Sequence, residues 1–436
     1  MEWVGRSRFD REIAGLALPA LGALAAEPLY LLADTAIVGH LGTPQLAALA
    51  LAATILSSLV SLSIFLTYGT TARVSRLHGA GLESDADELA AQALWLAIAV
   101  GAAVAVAVAA LAGPLVGLLG GSGHVADLAA RYLRIAVVGL PCALVALAGQ
   151  GWLRGVSDLR TPLVIVAGGN AANVVLELLL VYGFGWGLDG SAAGTVIAQL
   201  GMGAAFAAVL LRAPAASRRP RWSLMRPLTT IGAQIFVRTF SLMACFVVAS
   251  AVLARVSAAA LGAHQVAFQL FAFLALALDA LAIAGQVMVG RALGAGDAAE
   301  ARAAAQRLVQ LSLACGVLIG LVLLALSSPL PRAFSSDPAV LHQAHLLWPL
   351  FAVMWPVAAV VFALDGILIG ASDTRYLAGA MAASAAVFVP LVLVAATLGW
   401  GVRGVWAALV VLMAVRLVTT GARFLGRRWA LVGAPA

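Results

Sequence analysis

The sequence predicts an all-α polytopic membrane protein: twelve transmembrane helices in two six-helix bundles related by an axis along the membrane normal. Three observations carry this. First, 63% of the residues are hydrophobic and only 10% charged, with a mean hydropathy of +1.04, whereas soluble domains charge roughly a quarter of theirs. Second, apolar stretches of spanning length recur along the whole chain. Third, the chain repeats itself. Arg76-Leu-His-Gly79-Ala-Gly81 returns 215 residues later as Arg291-Ala-Leu-Gly294-Ala-Gly296, and Gly155-Val-Ser157-Asp158-Leu-Arg160 as Gly370-Ala-Ser372-Asp373-Thr-Arg375. With a one-residue gap, Gly185-Trp-Gly-Leu-Asp-Gly190 returns as Gly399-Trp-Gly-Val-Arg-Gly404. A duplication of this kind is the mark of a two-lobed transport machine.

The stretches lie at 13–38, 46–72, 90–119, 128–152, 162–182 and 188–212, then 228–254, 260–289, 304–329, 340–369, 376–398 and 403–425. Each supplies the ~20 residues that a spanning helix needs. Alternation of period two is absent, so helices are favoured over a barrel. An even number of spans per half makes the halves parallel. The domain reading is a lobe over 1–212 carrying the ion site, a cytoplasmic linker over 213–226, and a second lobe over 227–436.

Arginine sets the orientation, since the chain has no lysine. With both termini cytoplasmic, inner ends and loops hold nineteen arginines, from Arg6, Arg8 and Arg11 to Arg423, Arg427 and Arg428, and outer ends hold five: Arg131, Arg134, Arg255, Arg332 and Arg403. That imbalance places the chain in a cell (inner) membrane with both ends inside. The net charge of +7 is therefore a topology signal rather than a nucleic-acid footprint. The polar start of the chain lacks a small-residue cleavage site and reads as no removable signal peptide. Cys142, Cys245 and Cys315 fall within spans and read as apolar fillers.

Carboxylates in hydrocarbon are functional candidates by default. Five qualify: Glu27, Asp34, Glu177, Asp279 and Asp365. At ~1.5 Å per residue, Asp34 lies about 30 Å along the first span and Glu177 about 22 Å along the fifth, both in the outer half. Asn173 is one turn from Glu177 on the same face, and Tyr132 and Thr195 enter at the same level from the fourth and sixth spans. Singly, such polar residues are ordinary interhelical hydrogen bonders. Together with two acids they form a candidate site for a proton or Na⁺. Two neighbouring carboxyls in low dielectric do not both stay ionised, so the pair can load and release one cation as access alternates. Carried through the repeat, Asp34 falls on Ala249 and Glu177 on Leu391 or Val392, so the acids belong to one half. Glu27, two turns before Asp34, is a possible cavity-lining charge. Pro19 and Pro28 are expected to kink the first span.

In the second half Arg238 and Asp279 lie at matching depth, about 18 Å from the inner face, and read as a structural ion pair. Asp365, five residues before Gly370, reads as a cap or pair near the cytoplasmic face. His342-Gln-Ala-His345 has the wrong spacing for helical zinc ligands, Gly120-Gly-Ser-Gly123 lacks the lysine of a phosphate loop, and no Walker motif exists. No cofactor is expected beyond a coupling ion, H⁺ or Na⁺, and no metal site.

Leu32-Ala-Asp34-Thr-Ala-Ile-Val-Gly-His-Leu-Gly42, Asn173-Val-Val-Leu-Glu177, Gly190-Ser-Ala-Ala-Gly-Thr195 and the paired loops resemble the multidrug and toxic compound extrusion (MATE) family, in its DinF-like branch. The resemblance covers nearly the whole chain. It implies two bundles in a V, and export of amphipathic, often cationic compounds against H⁺ or Na⁺. It implies that Asp34 is the protonation site, with Asn173, Thr195 and Tyr132 as partners, and that Glu177 stands where the branch more often has aspartate. Acids that the NorM-like branch carries in its second lobe have no counterpart at Arg238. The expected partners are small amphipathic molecules and membrane lipids, not nucleic acid, with the protein a monomer. The alternatives are a flippase for lipid-linked sugars in the wider superfamily and an intramembrane enzyme. The flippase is disfavoured by the scarcity of intramembrane arginine, the enzyme by the lack of a converging nucleophile and base.

Overall fold

The computed structural model describes residues 8–215, 217–426 and 428–433; Arg6 and Arg427 of the topology argument, and the first seven residues of the amino-terminal reading, lie outside them. The chain is helical throughout: α1 (Arg8–Gly39), α2 (Thr43–Leu62), α3 (Phe65–Gly79), α4 (Glu83–Leu118), α5 (Gly123–Ala136), α6 (Leu140–Gly155), α7 (Arg160–Leu178), α8 (Gly187–Arg212), α9 (Trp222–Val256), α10 (Ala258–Gly294), α11 (Ala298–Ala325), α12 (Pro329–Phe334), α13 (Pro338–Gly370), α14 (Thr374–Thr397) and α15 (Gly401–Leu425). Merging α2 with α3 and α5 with α6, twelve helices among the described residues are long and apolar enough to cross a membrane. All twelve expected spans are present. The exposed leucines and valines that stud these helices are lipid-facing surface, as all-round hydrophobicity requires.

The repeated motifs are helix stops. In both copies of Gly-x-Ser-Asp the serine sits in left-handed backbone, Ser157 at φ 66° and Ser372 at φ 61°. Each closes the same terminal motif, in which the aspartate N–H reaches back five residues: Asp158 to Leu153 O at 2.8 Å and Asp373 to Leu368 O at 2.9 Å. The halves are thus kept in register by their turns while their span residues diverge.

Two compact units result. Among the described residues, one comprises 18–232 and the other 8–17 with 233–433. The first is built on clusters around Leu144, Trp152 and Phe206 and around Val38, Leu133 and Val137. The second has an aromatic core of Trp348, Phe351, Trp355 and Trp406, stacked edge to face. Units cut in this way differ from lobes divided at the linker, because the leading segments of α1 and α9 pack away from their own halves. The connection between α8 and α9 lies on α4: Gln92 donates to Arg219 O at 2.9 Å and accepts from Arg221 N at 2.7 Å, and Trp95 donates to Arg218 O at 2.8 Å.

The fifth span departs from α geometry. After Glu177 the helix widens into a π-turn over Leu179–Gly183, whereas α14, its repeat, runs as α-helix to Thr397. A π-turn holds one residue more than an α-turn, and this is the one-residue gap between the copies. Because the extra residue follows Glu177, Glu177 matches Val392 rather than Leu391.

Candidate ion site in the first unit

Three helices each present a polar pair one turn apart, which places both members on a single face. α1 brings Tyr30 and Asp34, α7 brings Asn173 and Glu177, and α8 brings Ser191 and Thr195; α5 adds Tyr132. Asp34, Glu177, Asn173, Ser191, Thr195 and Tyr132 are all buried, Glu177 completely. The sequence reading named five of these seven, and the structure brings those five together.

The contacts are specific. Ser191 donates to Asp34 Oδ1 at 2.9 Å. Tyr30 Oη lies 3.2 Å from Glu177 Oε1, to which it donates, and 3.0 Å from Thr195 Oγ1, which itself reaches Glu177 Oε1 at 3.4 Å. The carboxyls of Asp34 and Glu177 are close enough to interact, and Tyr132 is close enough to interact with both. Glu177 Oε2 and Asn173 Oδ1 are buried oxygens with no hydrogen-bond partner among the described residues. Tyr182, on the π-turn, donates to Ile37 O at 2.6 Å, capping one of the free carbonyls at the end of α1 just past Asp34. The wide turn after Glu177 therefore also fixes the helix that carries the other acid.

The charge balance of this cluster decides its chemistry. Two carboxyls lie side by side, every other member is neutral, and none of the seven residues is basic. Burying two uncompensated anions in hydrocarbon is prohibitive, so a positive charge must join them. A proton shared between the carboxyls does this. A monovalent cation held by carboxylate and amide oxygens does it equally, and Glu177 Oε2 with Asn173 Oδ1 are the oxygens available.

The second unit answers the question by comparison with itself. Through the repeat, Tyr30, Asp34, Tyr132, Asn173, Glu177, Ser191 and Thr195 correspond to Cys245, Ala249, Leu347, Phe388, Val392, Val405 and Leu409. All seven lie in that unit's buried apolar core. One copy of the position is a cluster of buried polar side chains and the other is apolar core.

Elsewhere the expectations meet different geometry. Glu27 is exposed on α1, outside the cluster. Asp365 is buried and accepts from both Arg238 and Arg416 through Oδ2. It is the expected pairing residue, but with two arginines. Sequence reasoning missed Arg416, which sits deep in the last span, and the partners Tyr30 and Ser191. Their signal was available, since each is one turn from a named residue on the same face. The three cysteines are free.

Comparisons with known proteins follow the same duplication. The MatE family model matches residues 19–179 and again 235–394. The chain is 32% identical over 462 residues to Protein DETOXIFICATION 44, chloroplastic, of Arabidopsis thaliana, covering 97% of this chain and 84% of that one. It is 31% identical over 419 residues to DNA damage-inducible protein F of Escherichia coli, covering 93% and 90%. Among solved structures, a crystal structure described as MATE in the bent conformation superposes with a TM-score of 0.89 at 18% identity, over 96% of each chain.

Proposed function

Since this chain belongs to the MatE family of membrane transporters, we propose that it is a secondary active antiporter, exporting amphipathic and often cationic small molecules in exchange for H⁺ or Na⁺ taken up at Asp34 and Glu177. The observation that carries the reading is the charge balance: two buried, adjacent carboxyls with no basic partner in their cluster. A site that must take up a cation in one state, and exists in one half only, is what alternating access needs to couple a gradient to a cargo. Asn173, Thr195 and Tyr132 serve as ion-site partners, joined by Tyr30 and Ser191. Glu27 is kept as a charge that lines the route of a cationic cargo. In the second unit Arg238, with Asp365 and by depth Asp279, is structural, because a buried arginine is tolerable only when a carboxylate compensates it. Both termini face the cytoplasm in this reading, and the working form is a monomer.

The experiment is substrate-evoked ion flux in proteoliposomes, with pH and Na⁺ gradients imposed separately and ethidium as cargo. Ethidium movement driven by one of the two gradients, and lost in Asp34→Asn, supports the reading; ethidium movement indifferent to both gradients refutes it.

A further inference from the structure

The division into units cuts two helices, and it cuts them at matching places. Residues 8–17 of α1 belong with the second unit and the rest with the first; residues 222–232 of α9 belong with the first unit and the rest with the second. The two cuts, after Ala17 and after Gly232, are 215 residues apart, the spacing of the repeat. Each half therefore lends the leading segment of its first helix to the other unit. The apolar anchor is also shared: Ile13 and Leu228, again 215 apart, are both buried.

The polar anchors differ. Asp10 takes Arg307 in two parallel bonds, Nε to Oδ1 at 2.7 Å and Nη2 to Oδ2 at 2.8 Å, and Glu12 pairs with Arg291. In α9 the corresponding positions are Met225 and Pro227, and the charged tie at that end comes instead from Arg221, just before the helix, which pairs with Glu88 on α4. The helix that carries the ion-site acid is thus also the one tied to the opposite unit by carboxylates of its own, while the leading segment of its repeat has no carboxylate and its helix no buried acid at the matching position. Bidentate Arg–carboxylate pairs fix orientation as well as contact, and α1 is one continuous helix from Arg8 to Gly39.

We propose that Asp10 and Glu12 are positioning residues for transport: with Arg307 and Arg291 they hold the leading end of α1 on the second unit, so that α1 passes the occupancy of Asp34 to it. This rests on the reading of Asp34 and Glu177 as the coupling site. α9, which carries no buried acid, is a passive second tether, held through Leu228 and the Arg221–Glu88 pair that precedes it. Arg8 and Glu300, 4.0 Å apart and exposed, contribute nothing.

The test uses the full chain with its three cysteines replaced by alanine and Gln306→Cys added, an exposed position beside Arg307. Labelling by a water-soluble maleimide is timed with and without the coupling ion, and ethidium export is driven by the same ion gradient. We expect labelling to change about threefold with the ion, and Asp10→Asn with Glu12→Gln to abolish that change and slow export about tenfold while purified protein still binds the ion. Asp10→Arg with Arg307→Asp restores part of both, and Glu300→Gln alters neither. Ion-dependent labelling and export that persist in the Asp10→Asn, Glu12→Gln protein overturn the proposal. So does labelling that ignores the ion in a protein whose export is ion-driven, and that result leaves the coupling site standing. Export that no ion gradient drives removes the coupling site itself, and the anchor's role with it.

Discussion

Replacing Gly194 with alanine puts one methyl group against the ion site. A Cβ there lies 3.1 Å from Glu177 Cγ, 3.3 Å from Glu177 N and 3.4 Å from Asn173 Oδ1. None of these is a hard clash, so α8 and α7 separate by a few tenths of an ångström. That is enough to lengthen the bonds from Thr195 and Tyr30 to Glu177. Overpacking by one methyl costs about 1–3 kcal/mol, and about 1.4 kcal/mol of it felt at the site weakens ion binding about tenfold. The helix itself gains about 1 kcal/mol from exchanging glycine for alanine. Global stability should therefore hold nearly constant while ion affinity falls. The repeat supports the reasoning: the position matching Gly194 is Ala408, buried where no ion site exists. The assay is ethidium export from proteoliposomes as a function of driving-ion concentration, with thermal unfolding in detergent alongside. Gly190→Ala is the contrast, because its Cβ lies 2.8 Å from the backbone carbonyl carbon of Leu180 and neither side can yield; it should lose stability. An unchanged half-saturating ion concentration in Gly194→Ala would refute the placement of the ion between α7 and α8.

Four further outcomes are expected. Glu177→Gln keeps the shape but leaves Asp34 without a neighbouring acid to share a proton, so the pH profile of transport should change; an identical profile would make Glu177 a packing residue. Asp365→Ala removes the carboxylate that Arg416 and Arg238 share, and should destabilise by about 3–5 kcal/mol, with recovery when the three are replaced together by apolar residues; strictly additive losses in unfolding midpoint would contradict the shared contact. Asp279→Ala is expected to lose stability rather than ion coupling, and a stable variant that fails to export would move the second unit into the coupling mechanism. Ser157→Gly and Ser372→Gly relieve left-handed backbone at a non-glycine residue and should each raise stability by about 1 kcal/mol; a drop in melting temperature would mean the serine hydroxyls matter more than the strain.

Much of this was legible in the chain. Spans follow from composition and length, and the two acids stand out because hydrocarbon makes every carboxylate conspicuous. Tyr30 and Ser191 are quieter, since a phenol and a hydroxyl are cheap in a membrane helix and signal nothing until a neighbour is known. The π-turn announced itself only as a gap between Gly185 and Gly399, and a gap does not say where within the helix it falls. Arg416 was hidden by its distance along the sequence from Asp365. The exchange of leading segments at Ala17 and Gly232 could not be read at all, because amphipathic pattern says that Ile13 and Leu228 are buried but not by which half.

The measurement that bears most directly on the central claim is cation release from purified, detergent-solubilised protein on adding ethidium, followed with a pH dye and, in parallel, by Na⁺ analysis. Protein with Asp34 and Glu177 intact should release about one monovalent cation per chain, since two adjacent buried carboxyls with no basic partner must hold one, and Asp34→Asn should release none. Equal release from Asp34→Asn, or none from the unmodified protein while ethidium binds, would contradict the account.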